Sequence, residues 1–179
     1  DSIVIGEPSP LTINVDSIIN PSCFGDANGE ITISANGGAQ VYNYSWSNGD
    51  TTSTIINLSS GPYTITLNDT NNCSLSQTIV VTQPAILSAS ISSSSDESCI
   101  GSDDGTASVT HTGGTAPFTY GWNTSPVQTG ITATDLANGT YAIVVTDANG
   151  CLDTISTAIN SPTPVITNDV PDATICYGD

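Results

Sequence analysis

Leu58-Ser59-Ser60-Gly61-Pro62-Tyr63-Thr64-Ile65-Thr66-Leu67 returns later in the chain as Leu136-Ala137-Asn138-Gly139-Thr140-Tyr141-Ala142-Ile143-Val144-Val145. Each copy is a Leu-x-x-Gly-x-Tyr turn that runs into a strand of period two. A tyrosine at that place resembles the corner in which a β-sandwich ties a loop back with a phenol. The reading is therefore all-β, and it is made twice.

The repetition extends in both directions. Upstream, Gly29 matches Gly105, Gly37-Gly38 matches Gly113-Gly114, and Tyr42-Asn43-Tyr44-Ser45-Trp46 matches Phe118-Thr119-Tyr120-Gly121-Trp122. Downstream, Asp69 through Cys73 matches Asp147 through Cys151, and Pro84 matches Pro162. Cys23-Phe24-Gly25-Asp26, Cys99-Ile100-Gly101-Ser102 and Cys176-Tyr177-Gly178-Asp179 open successive copies, a period of about 77 residues. The organisation expected is the end of one repeat at 1–9, full repeats at 10–83 and 84–161, and the start of another at 162–179, a piece of a longer exported chain.

For the second repeat the strands expected are Ile86–Ile91, Thr106–Thr110, Phe118–Trp122, Ile131–Asp135, Tyr141–Thr146 and Asp153–Ile159. Six or seven short strands in so few residues predict tandem immunoglobulin-like β-sandwich domains, arranged end to end. Trp46 and Trp122 fall where such folds bury an indole. They are expected in the core and not on a sugar-stacking face.

Charge excludes whole classes of function. The 179 residues contain no Lys or Arg against 17 Asp and Glu, a formal charge of −17. Nothing here neutralises phosphates, so nucleic acid and anionic lipid are excluded as partners. A lysine Schiff base and a lysine isopeptide cross-link are excluded as well. No apolar run approaches the roughly 20 residues that span a bilayer, so no membrane insertion is expected.

Each full repeat has two cysteines, Cys23 with Cys73 and Cys99 with Cys151. Small exported sandwiches carry disulfides because they bury limited surface. Pairing within a repeat closes loops of about 50 residues, worth on the order of 4 kcal/mol in the chain-entropy model. Pairing Cys73 with Cys99, or leaving the thiols free, would leave the symmetry unexplained. The lone His111 lies far from any cysteine pair and is expected as an incidental surface residue.

Cys-x-Gly-x-x-x-Gly, Gly-Gly-x-x-x-Tyr-x-Tyr-x-Trp, Leu-x-x-Gly-x-Tyr and Thr-Asp-x-x-Gly-Cys occur in that order. The series resembles the SprB repeat of gliding-motility adhesins. Departures are mild: Asn68 stands for Thr, Asn72 for Gly, and Val41 where Pro117 keeps the common proline. The resemblance implies very large cell-surface proteins, exported by the type IX system and serving adhesion, gliding or filamentous layers.

No cofactor is required, and no catalysis is expected, since no Ser-His-Asp order or phosphate-binding glycine loop is present. Calcium is the candidate ligand, on Asp26, Asn28 and Glu30 with Asp69 in the first repeat and on Asp103 and Asp104 with Asp147 in the second. The competing reading is turn chemistry, because Asp and Asn cap backbone amides. Asp-Ser/Thr-apolar segments mark Ser2, Ser17, Thr51 and Thr154 for O-glycosylation. Six Asn-x-Ser/Thr sequons, Asn43, Asn57 and Asn123 among them, are discounted. The function expected is that of a stalk spacer whose partners are neighbouring repeats of the same long chain, surface polysaccharide or other copies. A carbohydrate-binding module and a homopolymeric sheath are the alternatives.

Overall fold

A computed structural model describes residues 9–164, and the chain divides into two compact units between Ala85 and Ile86. The tails read above as parts of flanking repeats, with Ser2 and Cys176, lie almost wholly outside the described residues.

The first unit contains β1 (Thr12–Ile19), β2 (Gly29–Asn36), β3 (Asn43–Trp46), β4 (Thr54–Leu58), β5 (Gly61–Asn68) and β6 (Ser74–Val81). The second contains β7 (Ser88–Ser95), β8 (Gly105–Thr112), β9 (Thr119–Trp122), β10 (Thr132–Leu136), β11 (Gly139–Thr146) and β12 (Leu152–Ile159). Each unit is two antiparallel three-stranded sheets, ordered β1-β2-β4 and β3-β5-β6 in the first, β7-β8-β10 and β9-β11-β12 in the second. In immunoglobulin lettering these are the A-B-E and C-F-G sheets, with strand D absent. The fold is a tandem pair of immunoglobulin-like sandwiches.

Period-two alternation builds the core. In β2 the residues facing inward are Gly29, Ile31 and Ile33, which meet Trp46 from β3, Ile55 and Leu58 from β4, Ile65 from β5 and Ile79 and Val81 from β6. In the second unit Ala107 and Ala133 replace Ile31 and Ile55, and Leu87, Phe118 and Tyr120 pack against the remaining space. A fully buried Ile or Leu stabilises by about 1.5–3 kcal/mol relative to exposure, so these patterns decide which face turns inward.

All six strands expected of the second unit form, and one is displaced. The strand expected over Ile86–Ile91 runs over Ser88–Ser95, because its last half is serine and shows no apolar alternation. That strand lies at a sheet edge, where the β8 ladder holds it without core side chains. Its register slips between Ile91 and Ser93, as that of β1 slips between Val15 and Ser17. A bulge on an edge strand, with Asp16 on it in the first unit, discourages pairing with a foreign strand.

The chain enters each sandwich at one pole and leaves it at the other. In the first unit the upstream pole carries the start of β1, the β2–β3 loop and the β5–β6 turn. The downstream pole carries the β1–β2 loop, the β4–β5 turn and the end of β6.

Candidate functional site

The upstream pole is organised by one buried carboxylate. Asp69 is 2% exposed at the end of β5, and it accepts the amides of Asn71 at 2.9 Å, Cys73 at 2.8 Å and, across the loop from β2, Ala39 at 2.9 Å. Gly38 lies beneath it in the left-handed region, where a Cβ would stand 2.7 Å from Oδ2. The amide bond from Ala39 is the leading reason that the Asp69 pKa lies below its usual value, with the Cys73 and Asn71 amides opposing the cost of burial.

Asp147 repeats the arrangement with Thr115, Asn149 and Cys151, each at 2.9 Å. Burial pushes the Asp147 carboxyl up, and the amides of Thr115, Cys151, Asn149 and Gly150 outweigh it, so the net displacement is downward. The residue before each cysteine is left-handed, Asn72 at φ 63° and Gly150 at φ 82°. That is why asparagine stands in for glycine here: it tolerates this region better than other side chains.

The downstream pole is held differently in the two units. In the second, Asp104 accepts the amide of Ser98 and the hydroxyl of Ser102, which lower its pKa to about 2. Glu97, 5% exposed, accepts the Ser161 hydroxyl and the Asn138 amide. The Ser161 bond leads a net lowering of its pKa that burial opposes. In the first unit Asn28 takes the place of Asp104, bonding Ser22, and Pro21 takes the place of Glu97. Sequence reasoning missed Glu97 because its partners, Asn138 and Ser161, lie 41 and more residues away in the chain. It also missed Asn20 and Asp96, which cap the amides of Thr82 and Asn160 just past β6 and β12.

These positions correct the expected disulfides. Cys73 immediately precedes β6, whereas Gly25, two residues after Cys23, donates its amide to Gln83 just past the end of β6. A whole strand, about 23 Å at 3.3 Å per residue, separates the two cysteines. A disulfide needs Cα atoms within roughly 7 Å. Cys151 and Cys99 stand in the same relation to β12, since Glu97 beside Cys99 bonds Asn160 beyond that strand. Neither expected pair forms. The Cys73 thiol is free and exposed, while Cys23 and Cys151 are disulfide-bonded.

The expected calcium ligands are not brought together either. Asp26, Asn28 and Glu30 lie at the downstream pole and Asp69 at the upstream one; Asp103 and Asp104 are likewise a strand's length from Asp147. Among the described residues no three His, Cys, Asp or Glu side chains are grouped to hold a metal ion. Asp69, Asp104 and Asp147 instead hold the backbone amides of turns and loops. Ser17, Thr51 and Thr154 are exposed. Asp153, read as part of a glycosylation segment, accepts the amide of Ala89 and so joins β12 to β7.

The aromatics belong to the scaffold. Trp46 and Trp122 are 3% and 1% exposed, and their indole N–H groups donate to Thr52 and Gly130 carbonyls at 2.9 and 3.0 Å. Tyr63 and Tyr141 donate to the Ser59 and Ala137 carbonyls, both at 3.0 Å, and the tyrosine corner is present in both units. Contrary to expectation, His111 is half-buried, packed against Phe118 with centroids 4.0 Å apart and the rings tilted by 41°, and bonded to the Tyr120 hydroxyl at 3.0 Å.

The family model described as SprB repeat matches residues 15–51 and 91–127, one segment in each unit. No curated protein matches the chain. Among solved structures, a C-terminal 282-residue fragment of intimin, in complex with the intimin-binding domain of the translocated intimin receptor, is 13% identical with a TM-score of 0.41. The match covers 85% of this chain and 64% of the intimin fragment, so the chain spans less than two thirds of it. The amphioxus IgVJ-C2 molecule is 13% identical with a TM-score of 0.32, the match covering 87% of this chain and 98% of that one.

Proposed function

We propose that these units are structural spacers in the stalk of a large extracellular surface adhesin or filament, serving adhesion and gliding. The observation that carries this reading is the disposition of the aromatic side chains. Every described Trp and Tyr is buried or half-buried within its unit, and Phe24 is the one described aromatic that is largely exposed. A sugar-binding face needs a row of exposed rings, and the described residues do not offer one. The two SprB-repeat segments support placement on the cell surface. The negative surface supports the same reading, since like charge keeps neighbouring stalks apart at low salt.

Small-angle scattering on chains carrying two, four and six units tests it. The expected result is a maximum dimension that grows in equal steps with repeat number. A compact particle with units packed laterally would sink the spacer reading and favour the sheath.

A further inference from the structure

Cys73 and Cys151 occupy the same structural position. Each sits at the head of the last strand of its unit, its amide bonded to the buried Asp69 or Asp147 at 2.8 or 2.9 Å. The residue before it is left-handed in both units, and the aspartate amide returns a bond to the cysteine carbonyl at 3.0 and 2.9 Å. The backbone that presents the sulfur is thus the same, yet Cys151 is disulfide-bonded and Cys73 is a free, exposed thiol.

The partner is not the first cysteine of the same unit, which stands at the opposite pole. Cys73 lies at the pole where the chain arrives: the Gly38 amide donates to the Ser9 carbonyl at 2.7 Å, and the next amide, that of Ala39, donates to the carboxylate that holds Cys73. In a tandem chain that pole is where the preceding stretch of chain joins the unit. Cys23 and Cys99, the Cys-x-Gly cysteines of the two units, stand at the opposite, departing pole of each.

We propose that Cys73 is one half of a disulfide between repeats, its partner the Cys-x-Gly cysteine of the unit before it in a longer array. The bond forms by thiol–disulfide exchange. The Cys73 thiolate attacks an oxidant disulfide, of the glutathione or oxidoreductase class, and expels one thiolate; the partner thiolate then attacks the mixed disulfide and expels the second. Two thiols give up two protons and two electrons, and the oxidant leaves as two thiols. Such staples would link successive units covalently along the stalk, so the inference rests on the tandem-spacer reading.

A chain carrying residues 8–161 twice in register tests it, because Ser161-Pro8-Ser9-Pro10-Leu11 then reproduces the spacing of Gln83-Pro84-Ala85-Ile86-Leu87. Ser74→Ala in the second copy, at an exposed position, tags its Cys73 peptide by mass. After refolding in a glutathione redox buffer, non-reducing peptide mapping should find most of the second-copy Cys73 joined to the first-copy Cys99. The first-copy Cys73, with no unit before it, should remain open to alkylation. Equal alkylation of both Cys73 thiols, or a bond from Cys73 to Cys23 of its own unit, overturns the proposal. Scattering on the Cys73→Ser form of the same chain separates the two readings: a length that still grows with repeat number leaves the spacer standing without the staple.

Discussion

Asp69 accepts the amide of Ala39 at 2.9 Å, so that a single carboxylate fastens the loop entering β3 to the turn leaving β5. The same oxygen pair also holds Asn71 and Cys73. The chain has no Lys or Arg, and backbone amides do the work that those side chains do elsewhere. Asp69→Asn keeps the shape but turns an amino group toward amide donors. Calorimetry should show a lower unfolding temperature for the first unit with the second unchanged, and Asp147→Asn should do the converse. An unmoved first transition in Asp69→Asn would show that the carboxylate is incidental to the loop.

Acid should act on this protein in an unusual way. Asp69, Glu97, Asp104 and Asp147 all have folded pKa values below their unfolded ones. Their stabilising contributions are complete above the unfolded values, near 4, and are lost as pH falls through the folded values, which for Asp104 is about 2. Protonation also removes nearly all charge from a chain without Lys or Arg, so the usual acid repulsion never develops. Melting curves should be flat from pH 7 to about 5, then fall between about 4 and 2, with precipitation in place of a soluble acid-unfolded state. A soluble, expanded chain at pH 2 would contradict this.

Much of the fold could be read from the sequence because it depends on local pattern. The tyrosine corners, the buried indoles and the six strands of a unit follow from period two and from turn residues at fixed offsets. Cysteine pairing did not yield, because repeat symmetry says that Cys23 and Cys73 belong to one unit but not that they stand at opposite ends of it. The same omission placed Asp69 beside Asp26. Both errors trace to β6, whose eight residues separate the poles. Glu97 was hidden by its distance from Asn138 and Ser161 along the chain.

Gly105 opens β8 with no room for a side chain. A Cβ there would stand 2.6 Å from the Leu136 carbonyl and 2.5 Å from the Ile159 side chain. Gly105→Ala should therefore destabilise the second unit by about 1–3 kcal/mol, the usual cost of overpacking. Gly121→Ala, where nothing lies within 4 Å, is the control and should be neutral or slightly stabilising. Urea unfolding of the two variants side by side decides it, and equal midpoints would show that β8 and β10 separate at little cost.

The tyrosine corners should carry equal weight in the two units, since both phenols donate to a carbonyl four residues upstream at the same distance. Tyr63→Phe and Tyr141→Phe each remove one hydroxyl and leave the ring. A loss of about 1 kcal/mol is expected for each, the typical worth of one hydrogen bond. A loss in one unit alone, seen in urea titrations, would show that the corner is structural in that unit and decorative in the other.

The indoles separate the spacer from the lectin. Trp46 and Trp122 are buried, so their fluorescence should be blue-shifted and poorly quenched by acrylamide in the folded chain. Trp122→Ala should destabilise the second unit by about 3–5 kcal/mol, because it removes a large side chain from a core with little freedom to collapse. Trp122→Phe fills part of that space and loses the bond to Gly130, and it should fall between the variant and the parent. Titration of the parent with soluble surface polysaccharides should leave the emission of both indoles unmoved. A saturable spectral shift on adding a glycan, abolished in the folded Trp122→Phe chain, would place a sugar on the ring and make the carbohydrate-binding reading the correct one.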